Sequence, residues 1–278
     1  MIKCLVSDLD GTLLLHGSFL KVEINKHTVQ KIAQIRKNNV DFVIATGRTH
    51  DTKHVFEKQL GFSVDFIGNN GSCIMINDEL VVDRTLPVSL FKRLVEYVSK
   101  QSISAAMLYV DSDGNHVFDD RFGHNNGMFK SMSKSGEISS YFEGDIDAWY
   151  KQNPTAKMFN KAVITVNNVD ERNQLMDYLQ PFVEVENVDM FYSADVFIEI
   201  MPKDVNKGFG IRHIQKEYGL HDHEIAVVGD SFNDVSMFQQ FSTHSFAMDS
   251  APDEVKAFAK NIVHSVDDVI DYIIKFNQ

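Results

Sequence analysis

Short apolar runs alternate with segments of helical periodicity near both ends of the chain. Residues 2–7, 40–45 and 224–228 are continuous apolar runs, which are typical of strands covered on both faces. Apolar positions in residues 25–38 recur at the spacing of a helix. The same criteria predict further strands at 64–67, 72–76 and 245–248, and helices at 49–59, 207–218, 231–240, 253–260 and 266–276. Strands that alternate with helices of this length predict a parallel sheet.

The middle of the chain has a different pattern. It predicts helices at 90–98 and 171–179, and paired strands at 105–110, 116–120, 162–166, 183–188 and 196–200. Strands that follow one another this closely favour an antiparallel sheet. We therefore expect an α/β fold with a Rossmann-like, doubly wound parallel-sheet core. Residues 1–83 and 201–278 would form this discontinuous core, and residues 84–200 an inserted α+β domain.

Composition narrows the range of functions. The 278 residues carry a formal net charge of −12, which argues against a general nucleic-acid or anionic-membrane binder. No stretch approaches the roughly 20 apolar residues of a membrane span, and the N-terminus lacks the features of a signal peptide. The two cysteines, Cys4 and Cys73, are too few for a disulfide framework. We therefore expect a cytoplasmic enzyme or binding protein with reduced thiols.

Polar side chains follow three of the predicted core strands. The strand at 2–7 is followed by Asp8-Leu9-Asp10-Gly11-Thr12, the strand at 40–45 by Thr46-Gly47-Arg48, and the strand at 224–228 by Gly229-Asp230-Ser231-Phe232-Asn233-Asp234. Ligands of open parallel sheets bind beyond the carboxyl ends of the strands. The three segments are therefore expected to meet at one edge of the sheet.

These side chains suit a hard cation and a phosphate. Asp8 and Asp230 can each place a carboxylate oxygen on Mg²⁺, which prefers one or two carboxylates together with a substrate phosphate. Asp10 lies two residues beyond Asp8, so both side chains are expected on one side of an extended segment. Two adjacent carboxylates suit a nucleophile and a general acid/base.

The same edge offers groups that bind anions. Thr46 can donate a hydroxyl hydrogen bond, and the N–H of Gly47 is predicted at the start of a helix, where anions are favoured. Lys207, at the start of another predicted helix, would add a positive charge.

Together these motifs resemble those of the haloacid dehalogenase-like phosphohydrolase superfamily. Asp8 to Thr12 is similar to its first motif, Thr46 to Arg48 to its second, Lys207-Gly208 to its third, and Gly229 to Asp234 to its fourth. The large segment between the second and third motifs resembles the cap of the Cof-type sugar-phosphatase branch, subclass IIB. The resemblance covers essentially the whole chain.

The resemblance implies a phosphatase mechanism. Asp8 would attack phosphorus and form an aspartyl-phosphate, and Asp10 would protonate the leaving oxygen and then activate the hydrolytic water. Mg²⁺ would be held by the carboxylates of Asp8 and Asp230 and by the backbone carbonyl of Asp10. The residues implied to bind the phosphoryl group are Leu9, Thr46, Gly47, Lys207 and Asn233.

Three further residues are expected to support this site. Asp234 would orient Lys207 or complete the outer shell of the metal. Arg48 could contact the substrate or pair with a carboxylate. Asn70 follows a predicted core strand and could face the substrate or belong to a simple turn.

The expected function is hydrolysis of small phosphorylated metabolites, for which sugar phosphates, flavin mononucleotide and pyridoxal phosphate are all compatible. The expected partner is therefore a small-molecule phosphorylated substrate. Two alternatives remain open. A phosphomannomutase-like enzyme would return the phosphoryl group to a sugar, and a non-enzymatic receiver-like module would keep it on an aspartate. The oligomeric state is left open by the sequence.

Overall fold

The computed structural model describes residues 1–14, 23–111, 114–119, 140–144, 146–153 and 158–278. The chain divides into two compact units. One unit comprises Met1–Val82 and Asn206–Gln278, and the other comprises Asp83–Val205. Among the described residues, no helix has the length and apolar content that a membrane crossing requires.

The strands of the described residues belong to three sheets. In chain order they are β1 (Cys4–Ser7), β2 (Asp41–Ala45), β3 (Asp65–Gly68), β4 (Cys73–Ile76), β5 (Glu79–Asp83), β6 (Leu86–Pro87), β7 (Ala106–Val110), β8 (Asn115–Asp119), β9 (Ser140–Glu143), β10 (Met158–Phe159), β11 (Lys161–Thr165), β12 (Val188–Ala194), β13 (Phe197–Pro202), β14 (Ile225–Gly229), β15 (Ser245–Met248) and β16 (Asn261–Val263).

The α-helices of the described residues connect these strands. In chain order they are α1 (Lys26–Lys37), α2 (Lys53–Leu60), α3 (Val88–Val98), α4 (Ile146–Gln152), α5 (Val169–Glu186), α6 (Lys207–Tyr218), α7 (Val235–Gln240), α8 (Asp253–Lys256) and α9 (Val266–Phe276). Single 3₁₀ turns, among them Asn69–Gly71 and Phe232–Asp234, lie at strand ends.

The first unit contains an eight-stranded sheet of order β16-β15-β14-β1-β2-β3-β4-β5. The strands from β16 to β3 run parallel, whereas β4 is antiparallel to β3. The chain leaves β1 for β2 on one side, and β14 returns to the other side, so the strand order reverses at β1. The predicted α/β fold with a doubly wound parallel core is confirmed.

Burial explains why the core strands are continuously apolar. Leu5 belongs to the apolar cluster on one face of the sheet, whereas Cys4 and Val6 belong to the cluster on the other face. Helices α1 and α9 pack on the first face through Ile32 and Ile270. Since both faces are covered by helices, a half-polar alternating strand would leave polar side chains in the core.

The second unit is built on a six-stranded sheet of order β12-β13-β11-β7-β8-β9. Its pairs are antiparallel except for β8 with β9. Helices α3, α4 and α5 pack on one face of this sheet through Leu94, Trp149 and Leu179. The α+β character predicted for this part of the chain agrees with this arrangement.

The predicted strand at 183–188 is wrong. Helix α5 continues to Glu186, and strand β12 begins only at Val188. The helix includes Pro181, and the apolar contacts of Leu175, Leu179 and Phe182 continue at helical spacing beyond it. Tertiary packing therefore outweighs the strand preference of the β-branched residues in this segment. The pattern also missed the edge strands β5 and β16, which are short or exposed.

Close packing of α6 on β3 generates a stability prediction. A Cβ atom added at Gly210 would lie 2.3 Å from Cγ2 of Ile67. Gly→Ala inside a helix ordinarily stabilises by about 1 kcal/mol, but we expect Gly210→Ala to lower the free energy of unfolding by about 1–3 kcal/mol because the site is overpacked. Denaturant unfolding measures the change.

The matched background is Ile67→Ala, which removes the clashing methyl group. In that background Gly210→Ala should be neutral or stabilising. A Gly210→Ala protein as stable as the parent with Ile67 intact would contradict the packing explanation.

Candidate active site

The register of the parallel strands brings three loops together. Ser7 is paired with Val228 of β14 on one side and with Ile44 of β2 on the other. The N–H of Asp8 donates to the carbonyl of Val228 at 2.9 Å, which carries the ladder to the end of β1. The residues that follow these strands therefore leave the same edge of the sheet side by side, as expected from the sequence.

Lys207 lies at the centre of this edge. It is the first residue of α6, whose N-cap Asn206 accepts a hydrogen bond from the N–H of Phe209. Its Nζ donates to Oδ1 of Asp8 and to Oδ1 of Asp234, both at 2.5 Å. Its side chain has no exposed surface. One buried ammonium group therefore links the first, third and fourth predicted motifs.

Asp234 is a structural member of this cluster. Its Oδ1 pairs with Lys207, and its Oδ2 accepts hydrogen bonds from the N–H groups of Asp230 and Ser231, both at 2.9 Å. A Cβ at Gly229 would lie 2.4 Å from Cγ of Asp234. Both oxygens of Asp234 are thus committed to the protein, and it supports the loop after β14.

Asp230 is oriented by two neutral donors. The hydroxyl of Thr12 donates to its Oδ1 at 2.9 Å, and the hydroxyl of Ser231 donates to its Oδ2 at 3.1 Å. Gly11 has φ +87°, and a Cβ there would lie 2.3 Å from Oδ2 of Asp230. Glycine is therefore required at position 11 both by the backbone conformation and by the close approach of this carboxylate.

The cluster has more negative than positive charge. Oxygens of Asp8, Asp230 and Asp234 all lie within 4.8 Å of one another. Burial raises the pKa of Asp8 well above its usual value, against the effect of Lys207, and the charges of Asp234 and Asp230 raise it further. Burial and the charge of Asp234 also raise the pKa of Asp230.

Lys207 stays protonated in this setting. Burial opposes its charge, but Asp234 and Asp8 outweigh that effect and raise its pKa above the usual value. Since one ammonium group faces three buried carboxylates, a further cation would stabilise the cluster. The donor set consists of oxygen atoms, and it fits a hard divalent cation held by Asp8 and Asp230.

The second predicted motif lies beside this cluster. Thr46 is buried, and its Oγ1 accepts a hydrogen bond from the N–H of Arg48 at 3.1 Å. Its backbone carbonyl accepts a hydrogen bond from the N–H of Asn70 at 2.9 Å. Gly47 packs against the Asn70 side chain, to which a Cβ at position 47 would come within 3.3 Å. Leu9, from the first motif, has a fully buried side chain.

Asp10 has a different environment from Asp8. Arg48 donates to both of its carboxylate oxygens, from Nε at 2.9 Å and from Nη2 at 2.6 Å. Its side chain is 37% exposed, and its carboxylate lies outside the buried cluster of the described residues. The sequence left open whether Arg48 contacts the substrate or pairs with a carboxylate. In the structure it pairs with the carboxylate of Asp10.

Asn70 and Asn233 meet at the same edge. The Nδ2 of Asn233 donates to Oδ1 of Asn70 at 3.1 Å. The structure thus brings the predicted phosphate-binding residue of the fourth motif into contact with the predicted supporting residue after β3.

Thr12 and Ser231, which orient Asp230, were not predicted from the sequence to have a role. Both residues stand inside the quoted motifs. A hydroxyl group close to a carboxylate in the sequence could have indicated this role. The carboxylate oxygen that each hydroxyl contacts, however, depends on the turn at Gly11 and on the 3₁₀ turn after Ser231.

With the fold and site defined, comparison with known proteins identifies the class. The sequence profile of the haloacid dehalogenase-like hydrolases matches residues 5–274. The chain therefore belongs to the haloacid dehalogenase-like hydrolase family, which confirms the resemblance inferred from the four motifs and the prediction of a hydrolytic enzyme.

Relatives and solved structures agree with this assignment. The 5-amino-6-(5-phospho-D-ribitylamino)uracil phosphatase YbjI of Escherichia coli is 25% identical, over 99% of this chain and 97% of the relative. SMU.1108c from Streptococcus mutans superposes with a TM-score of 0.81 at 20% identity, over 99% of both chains. The subclass IIB sugar phosphatase BT4131 superposes with a TM-score of 0.76 at 18% identity, also over 99% of both chains. These two structures share the fold of this chain.

The buried Lys207 generates a prediction of stability. Lys207→Met leaves Asp8 and Asp234 without their ammonium partner, and breaking a buried pair on one side typically costs about 3–5 kcal/mol. We expect a loss of that size in urea unfolding with a chelator present.

The matched control is Lys31→Met. Lys31 pairs with Asp271, whose side chain is 62% exposed, so this change should cost less than about 1 kcal/mol. Equal losses for the two variants would show that Lys207 does not balance the buried carboxylates.

Proposed function

We propose that the protein is a Mg²⁺-dependent phosphatase that hydrolyses small phosphorylated metabolites through an aspartyl-phosphate. The observation that carries this proposal is the hydrogen bonding of the two carboxylate oxygens of Asp8. One of its oxygens is held by Lys207, and the other accepts no hydrogen bond from the described residues. A buried, oriented carboxylate with one uncommitted oxygen suits in-line attack on phosphorus.

In the proposed reaction, an oxygen of Asp8 forms a bond to phosphorus while the bond from phosphorus to the leaving oxygen breaks. Asp10 gives its proton to that leaving oxygen. Water then attacks phosphorus, Asp10 takes a proton from the water, and phosphate leaves with regeneration of the Asp8 carboxylate. Since Arg48 donates to both oxygens of Asp10, Asp10 must release one of these hydrogen bonds and take up a proton from water before it can protonate the leaving oxygen.

Charge neutralisation and positioning would supply most of the catalysis. Thr46, the backbone N–H groups of Leu9 and Gly47, and the amide of Asn233 would donate to the phosphoryl oxygens. Lys207 would reduce their negative charge while it holds Asp8 in place.

Mg²⁺ is the proposed cofactor because the buried site combines carboxylate oxygens with an excess of negative charge. The carboxylates of Asp8 and Asp230 and the backbone carbonyl of Asp10 would hold it. When bound, Mg²⁺ would neutralise charge on the transferring phosphoryl group. Asp234 is already committed to Lys207 and to two backbone N–H groups, so its role would be in the outer shell.

The names of two relatives support a proposal for the substrate class. A ribitylaminouracil-phosphate phosphatase and a sugar phosphatase both align over nearly the whole chain, and both names denote a phosphate ester on a polyol or sugar. We infer a substrate of that kind. Residues 84–200 would act as the domain that selects it, and a cytoplasmic location is the matching expectation.

The direct test is hydrolysis of p-nitrophenyl phosphate and of a panel of sugar phosphates with Mg²⁺. We expect Asp8→Asn to lower kcat by at least about 10³-fold, because the amide cannot act as the nucleophile. The assay measures the release of inorganic phosphate, because a mutase would convert the sugar phosphate without releasing inorganic phosphate.

The matched control is Asp253→Asn, which removes a carboxylate that is 96% exposed. It should keep the activity of the parent protein. Undiminished phosphate release by Asp8→Asn would overturn the assignment of the nucleophile.

Metal binding has a readout that needs no substrate. Mg²⁺ at 100 times its Kd should stabilise the protein by about 2.7 kcal/mol, measured as a rise in Tm. Asp230→Asn should remove most of that rise because one of the two carboxylate ligands is lost. An equal rise in the parent protein and in Asp230→Asn would place the ion elsewhere.

A further inference from the structure

The turn between β3 and β4 has an unusual backbone. Asn69, Asn70 and Gly71 have φ values of +47°, +54° and +105°. All three residues are buried. Successive residues in the left-handed region are costly for side chains other than glycine, although asparagine tolerates that region best. Strain of this kind persists where the surroundings hold it, and it concentrates at functional sites.

The backbone of this turn contacts the loops of the second and third motifs. Asn69 donates its N–H to the carbonyl of Arg48 at 2.8 Å, and Asn70 donates its N–H to the carbonyl of Thr46 at 2.9 Å. Gly71 packs so closely on Asn206, the residue before Lys207, that a Cβ would lie 2.3 Å from its carbonyl oxygen. These contacts hold the backbone of the turn, including residue 70, in place relative to the second and third motifs.

The fourth motif is reached through a side-chain amide. Oδ1 of Asn70 accepts a hydrogen bond from Nδ2 of Asn233 at 3.1 Å. The Oδ1 of Asn233 is buried and accepts no hydrogen bond from the described residues. Within the described part of the chain, Asn70 is therefore the one hydrogen-bond partner of the Asn233 amide.

We propose that Asn70 is a positioning residue that fixes the orientation of the Asn233 amide, so that the second N–H of Asn233 is directed to a phosphoryl oxygen. This inference rests on the proposed function, in which Asn233 binds the phosphoryl group. Asn70 itself makes no bond to the substrate in this proposal.

The chemistry of the amide explains why orientation matters. An asparagine side chain offers donors on one side and an acceptor on the other. The Oδ1 of Asn70 is an acceptor, so it favours the orientation in which the nitrogen of Asn233 faces it. As long as the Asn70 amide keeps its Oδ1 towards Asn233, the reversed Asn233 amide would bring two carbonyl oxygens together and would present an acceptor to the anionic phosphate. Without Asn70, both orientations become available.

The test is Asn70→Gly, which removes the acceptor and suits the φ of +54° at this position. We expect an about 10-fold loss of affinity for inorganic phosphate, measured by calorimetry with Mg²⁺ present, because a hydrogen bond to a charged group is weakened. We expect a similar loss of kcat/KM for p-nitrophenyl phosphate.

A double-mutant cycle separates positioning from a general effect on the fold. In the Asn233→Ala background, Asn70→Gly should change phosphate affinity less than about 2-fold, because the amide through which it acts is gone. The same 10-fold loss in both backgrounds, or no loss in either, would overturn the proposal.

The matched control is Asn77→Gly. Asn77 also has a positive φ, of +51°, but it lies in the turn after β4, and the change should leave phosphate affinity unaltered. Calorimetry also separates this inference from the proposed function. If the parent protein binds phosphate but hydrolyses no phosphate ester, the proposed phosphatase function is refuted. If the parent protein hydrolyses phosphate esters and Asn70→Gly binds phosphate as tightly as the parent, only the positioning role is refuted.

Discussion

The site depends on one buried ion cluster, in which Lys207 lies between Asp8 and Asp234. Burying any of these charges alone would be strongly unfavourable, and the arrangement is tolerable because each charge has a partner at hydrogen-bond distance. The three side chains come from the end of β1, the start of α6 and the turn after β14. The cluster therefore requires that the sheet and α6 be correctly placed before it can form.

The residues around the cluster leave space for its carboxylates and donate hydrogen bonds to them. Gly11 and Gly229 stand where a Cβ would collide with Asp230 and Asp234, and Thr12 and Ser231 supply hydroxyl donors to Asp230. The remaining excess of negative charge is the feature that a bound cation would correct. In the proposed function, this acidic chain would bind an anionic phosphate through the local placement of one ammonium group, backbone N–H groups and a divalent cation, and not through its net charge.

Much of this could be predicted from the sequence. Apolar runs such as 2–7 and 224–228 predicted the core strands because both faces of the sheet are covered, and parallel strands must end at a common edge. The contacts between loops could not be predicted in the same way. That Arg48 pairs with Asp10, and that Asn70 contacts Asn233, depends on turn conformations with positive φ or on side-chain directions that periodicity does not encode. The strand expected at 183–188 failed for a related reason, since packing of Phe182 extends α5 past Pro181.

The central claim is that Asp8 carries the phosphoryl group. It is tested most directly by acid quenching of the enzyme during turnover, reduction with borohydride, and mass spectrometry of the peptide that contains residue 8. An aspartyl-phosphate at this position predicts conversion of Asp8 to homoserine, with Asp10 unmodified. Rapid turnover with no reducible adduct at residue 8, or with an adduct at another residue, would contradict the account.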